Sequence, residues 1–105
     1  MNNSQNYNSP SIENFVNQLI KDKGLDYLEP EVLNEAKKDI TKRVIDRINV
    51  AIIAKMPPEK LEFFEKMLDK SSQEEVQSFC ERNIPDLDKV VASELIEFRK
   101  NYLNL

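Results

Sequence analysis

Histidine and tryptophan are absent from this 105-residue chain, glycine occurs once (Gly24) and cysteine once (Cys80). Each shortage removes a class of answers. Without histidine, a nucleophile has lost its usual general base. A single glycine leaves no glycine-rich phosphate loop, and the Asp-x-Asp-x-Asp-Gly pattern of an EF-hand loop is missing. The lack of glycine also counts against a β-protein, whose tight turns favour Gly, Asn-Gly or Asp-Gly. One cysteine builds no disulfide framework, which suits a reducing compartment. No stretch approaches the ~20 apolar residues of a membrane span, and the polar amino terminus has no signal-peptide core. The expectation is a cytoplasmic chain with no membrane association.

Charge is plentiful and mixed. The formal net charge is −4, which disfavours a general nucleic-acid binder. The excess of acid lies downstream: residues 1–56 carry eight acids and eight bases, residues 57–105 eleven acids and seven bases.

Proline supplies the punctuation that glycine does not. Pro10, Pro30, Pro57-Pro58 and Pro85 each precede a run with helical periodicity, as expected where proline opens helices. Residues 1–9 (MNNSQNYNS) are too polar to offset the entropy of ordering and are expected to be a disordered tail. Residues 10–105 are expected to form one all-helical domain, a size at which the core is adequate but thin.

Ile12, Phe15, Val16, Leu19 and Ile20 fall on one face of a first helix, which Gly24 ends as a left-handed cap. Leu25-Asp26-Tyr27-Leu28 then supplies apolar groups expected to pack beneath the turn. A long helix follows from Pro30 to about Lys55, with Leu33, Ala36, Ile40, Val44 and Ile48 in a narrow stripe. Six of the seven residues from Ile48 to Ala54 are apolar, so that end is expected to be enclosed on most sides by protein or by a second copy. Met56-Pro57-Pro58 stops the helix. Leu61, Phe63, Phe64, Met67 and Leu68 predict a third helix with a wide apolar face. Ser72-Gln73-Glu74-Glu75 is a capping box for a fourth, with Val76, Phe79 and Cys80 turned inward. Asp86 or Asp88 is expected to cap a fifth, whose Leu87, Val91, Leu95, Phe98 and Tyr102 suit packing along a partner helix. The fold class expected is all-α: a compact five-helix domain around a long second helix.

Few residues offer chemistry. Cys80, next to Phe79 on an apolar face, reads as core. Glu62 with Glu65, Glu94 with Glu97 and Asp86 with Asp88 could share a cation, but bundle metal sites turn their glutamates inward and add Glu-x-x-His. Solvated faces and caps explain these pairs better, so no metal and no cofactor is expected. A helix-turn-helix formed by the third and fourth helices would begin its recognition helix with Gln73-Glu74-Glu75, setting carboxylates against phosphate. Lys38, Lys42, Arg43 and Arg47 are the only interaction candidates that stand out. They belong to the one basic concentration, in which Lys37 also falls. Even there, Asp39 to Arg43 and Lys42 to Asp46 are i,i+4 pairs that offset part of the charge.

Leu25-x-x-Leu28, the long helix with Arg43 and Arg47, Met56-Pro57 before Leu61-Glu62-Phe63-Phe64, and Phe79 followed by Asn83-Ile84-Pro85-Asp86 together resemble a family of small uncharacterised helical proteins found mainly in reduced-genome bacterial lineages. The resemblance runs over roughly residues 12–103. It implies an all-α domain of unknown function and transfers no catalytic residue.

The functional expectation is a non-enzymatic helical module that contacts an unidentified protein partner or a second copy of itself, through a groove or the flanks of the long helix. The alternative is an acidic regulatory protein that binds a basic partner or mimics nucleic acid through Glu62, Glu65, Glu74, Glu75 and Glu81. A carboxylate-dependent metal enzyme ranks third.

Overall fold

The computed structural model describes residues 10–105; the tail expected over residues 1–9 lies outside the described residues. Five α-helices and one 3-10 turn make 84% of the described chain helical, with no strand among those residues. They are α1 (Pro10–Lys23), α2 (Pro30–Lys55), the 3-10 turn Pro58–Lys60, α3 (Leu61–Lys70), α4 (Gln73–Asn83) and α5 (Leu87–Leu103).

Local chemistry accounts for most of the boundaries. Gly24 takes φ +79° and donates its N–H to the carbonyl of Lys21 at 3.0 Å, while the Leu25 N–H reaches the Ile20 carbonyl at 3.0 Å. This is the left-handed ending that glycine permits without a Cβ penalty. At the other end of α2, Met56 is extended (φ −69°, ψ 138°) ahead of the two prolines, as a residue before proline must be. The capping box of α4 is complete: Ser72 Oγ accepts from the Glu75 N–H at 3.2 Å, and the Ser72 N–H donates to Glu75 Oε1 at 2.9 Å. Asp86 stands at the head of α5 but makes no side-chain cap hydrogen bond. Its φ of −108° and ψ of 37° are not the extended conformation a capping side chain needs.

The backbones of α1, α2 and α5 approach one another pairwise, whereas α3 lies close to α4 and to the 3-10 turn. The molecule is therefore a three-helix unit with a helical hairpin set against it, measuring 46 × 33 × 17 Å between Cα extremes. A thickness of 17 Å corresponds to about two helices, which pack 8–10 Å apart. Ile40, Val44, Ile48 and Ile52 of α2 are fully buried and run through one continuous core. Ile12, Val16, Leu19 and Ile20 join it from α1, Leu87, Val90 and Phe98 from α5, and Phe64, Val76, Phe79, Cys80 and Ile84 from the hairpin region. No polar or charged residue of the described chain is fully buried. The one inward-turned polar atom without a hydrogen-bond partner there is Asn49 Oδ1.

Three expectations about burial need correction. In the link Leu25-Asp26-Tyr27-Leu28 the two leucines are half-buried, but Tyr27 is 78% exposed rather than packed beneath the turn. The apolar end of α2 is enclosed less fully than expected: Ile48 and Ile52 are buried and Ala51 and Ile53 pack half-buried against the core, but Val50 is 66% exposed and Ala54 is exposed. Likewise α3 does not bury its whole apolar set. Phe64 is its one fully buried residue, while Phe63 is 56% exposed.

Three polar clasps close the three-helix unit. Arg99 of α5 binds the carboxylate of Asp22 in α1. Lys23 Nζ donates to the Tyr102 carbonyl at 3.0 Å and sits 5.2 Å from the centre of the Tyr102 ring, a cation–π contact. Arg47 of α2 meets Glu94 of α5 at 3.2 Å. Among the described residues no side-chain hydrogen bond or ion pair joins α3 or α4 to these three helices.

Candidate functional site

The two adjacent phenylalanines of α3 point in different directions because neighbours in a helix are rotated by about 100°. Phe64 enters the core, and Phe63 stays at the surface. Phe79 of α4 lies against both: its ring centre is 6.2 Å from that of Phe64, nearly parallel at 12°, and 5.3 Å from that of Phe63, tilted by 56°. The three rings form a column leading from the core to the surface, within the separations at which aromatic pairs attract.

At the outer end of this column, α3 and α4 diverge around a groove of about 400 Å³. Phe63, Met67 and Phe79 give it an apolar floor. Ser71, Ser78, Glu74, Glu75 and Arg82 form the remaining walls. The capping box fixes the tight Ser71-Ser72 turn and so the angle between the helices. Near the far end, the Asn83 side-chain N–H donates to the Phe79 carbonyl at 2.8 Å. The groove is thus held open by local bonds on one wall and by ring packing beneath.

The nearby thiol of Cys80 is fully buried, and burial, reinforced by the charge of Glu81, pushes its pKa up to about 12. A thiol held that high is protonated and inert at neutral pH. No cluster of three or more His, Cys, Asp or Glu able to hold a metal occurs among the described residues. Away from the groove, the Asp22 carboxyl is held below its ordinary 3.8 by hydrogen bonds from Arg99 and then Gln18, with the Arg99 charge adding to them.

The basic candidates lie elsewhere, along α2. Lys38 pairs with Glu35 at 3.8 Å, Lys42 with Asp46 at 3.4 Å, and Arg43 with Asp39 at 2.8 Å. Arg47 is the exception in kind, since its partner Glu94 belongs to α5. All four are thus ion-paired, and none lines the groove. The acidic set is also divided: Glu62 pairs with Lys66, Glu75 serves the capping box, and Glu81 accepts from Gln77. Glu74 stands free of these bonds on the groove wall.

Phe63, Met67, Ser78 and Arg82 were not singled out as a site by sequence reasoning. A signal existed. Leu61, Phe64 and Leu68 share one stripe at spacings of three and four, which leaves Phe63 and Met67, themselves four apart, as a second apolar pair facing another way.

No helix among the described residues is long and apolar enough to cross a membrane. A family model described as "Protein of unknown function (DUF5663)" matches residues 19–102, a span that takes in the whole of α2, α3 and α4 and with them the groove. No curated protein matches the chain, and no solved structure does. By the extent of the family match, the chain belongs to the DUF5663 family.

Proposed function

We propose that this member of a family of unknown function is a non-enzymatic helical module that binds another protein chain in the groove between α3 and α4. The observation that carries the reading is Phe63: a large aromatic side chain 56% exposed, tilted against the ring of Phe79 and lining, with Met67, the mouth of a concave surface. A single exposed apolar residue is ordinary. An aromatic that shares a groove with a second aromatic and a methionine has the composition of the core of a protein interface. The groove is large enough for one or two apolar side chains of a partner. The lone unpaired thiol, buried in the core, supports residence in a reducing compartment such as the cytoplasm.

A photo-crosslinking amino acid placed at position 63 in cells of the source organism tests the reading, with Val32 on α2, 52% exposed, as the control position. Covalent protein adducts at position 63 well above those at position 32 are expected. Equal, background yields at both positions overturn it.

A further inference from the structure

The charges on the groove wall select among possible occupants. Glu74, Ser78 and Arg82 follow one another at intervals of four residues, so they form a strip along α4 about 12 Å long at 1.5 Å per residue. A carboxylate stands at one end, a small hydroxyl in the middle and a guanidinium at the other end; the groove's other carboxylate, Glu75, is held back in the capping box by the Ser72 N–H. Neither charge has an ion-pair partner among the described residues, whereas Lys38, Lys42, Arg43 and Lys66 all find one within a turn of helix. The helix dipole accounts for the order of the signs. It does not account for unpaired charges bracketing an apolar groove.

A strip that reads negative, neutral, positive is complementary to its own reverse. A basic peptide laid along it would satisfy Glu74 and face Arg82 with a like charge; an acidic peptide would do the opposite. We propose that the occupant is a second copy of this chain, docked so that the two α4 helices run antiparallel across a two-fold axis at Ser78. Glu74 of each copy then meets Arg82 of the other, and the serine lets the helices approach closely. Phe63 of each copy enters the groove of the other, against Phe79 and Met67. The contact is isologous and closes on itself, as two-fold interfaces do. This inference rests on reading the groove as a protein docking site. Because α3 and α4 are only 10 and 11 residues long, the contact is small and the dimer is of the weak, reversible kind.

Sedimentation velocity of the full chain, from low micromolar to near-millimolar concentration, is expected to show a monomer–dimer equilibrium that weakens with added salt. Glu74→Arg and Arg82→Glu alter both symmetric ion pairs at once, and each alone should weaken self-association by about tenfold or more. The decisive sample is a one-to-one mixture of these two variants, which should regain dimers, as should the double variant E74R/R82E. Unchanged helical circular dichroism shows that the variants fold. A strict monomer at every concentration overturns the proposal, as do single variants that dimerise like the wild type or a mixture that stays monomeric. Crosslinking at position 63 separates the two levels: adducts of twice the chain mass support the second copy. Adducts with a different protein alone remove the second copy and leave the docking site standing, and no adduct at all removes both.

Discussion

The three-helix unit and the α3–α4 hairpin share one apolar core but are closed by different means. Between α1, α2 and α5, burial of isoleucine, leucine and valine is supplemented by Asp22–Arg99, Lys23–Tyr102 and Arg47–Glu94. The hairpin has bonds of its own, in the capping box and the Asn83–Phe79 link, yet among the described residues it meets the other helices through apolar side chains alone. Exposed ion pairs add only about 0–1 kcal/mol each, so the difference is less one of strength than of specification. Polar clasps fix which turn of one helix faces which turn of another. A seam of Phe64, Val76, Phe79, Cys80 and Ile84 fixes position by shape.

Several substitutions break or sharpen that contrast. Phe64→Ala should have the largest effect, about 3–5 kcal/mol, since it removes a fully buried ring at the centre of the seam. Amide exchange in α3 and α4, and labelling of the Cys80 thiol, should then accelerate well before exchange in α2. If α2 amides speed up equally, the two regions unfold as one unit and the distinction is lost. Ser72→Ala removes half of the capping box and is expected to cost about 1 kcal/mol. Its effect on hydrogen exchange should be confined to the hairpin, and faster exchange at the α1–α5 clasps would contradict the division.

Gly24→Ala acts on the other side of the comparison. Nothing lies within 4 Å of the added Cβ, so only the left-handed backbone opposes it, and thermal unfolding should report a loss of about 1 kcal/mol. The smallest effect should come from Asp22→Asn. The folded carboxyl titrates below its ordinary 3.8, so its contribution is fully present above that value and is lost as pH falls through the depressed one. Melting temperatures of wild type and variant should therefore differ at neutral pH and converge in acid. A gap that stays constant with pH would show that the Arg99 clasp adds nothing.

Much of this architecture can be read along the chain, because the residues that end helices act locally. Gly24, Pro30, Met56-Pro57-Pro58 and the Ser72–Glu75 box each determine the backbone within a few positions, and the structure places helix ends at all of them. The Asp39–Arg43 and Lys42–Asp46 pairs are legible for the same reason, since four residues make one turn. Arg47–Glu94 and Asp22–Arg99 join residues 47 and 77 positions apart, and no spacing rule reaches that far. The groove is hidden for a subtler reason. A wide apolar face such as that of α3 does not declare which of two adjacent phenylalanines goes inward until the neighbouring helices are in place. Val50 illustrates the converse: an almost wholly apolar run suggests enclosure, yet a residue within it can still face outward.

The wholly apolar seam between hairpin and three-helix unit has a thermal consequence. Burial of apolar surface is driven by water near room temperature and loses strength on cooling, whereas the charged clasps of α1, α2 and α5 do not depend on it in the same way. The hairpin, which has no such clasp among the described residues, is therefore expected to loosen first as temperature falls below the stability maximum. The groove sits on that hairpin, so its width and the grip of anything held in it are set partly by the temperature at which the protein works.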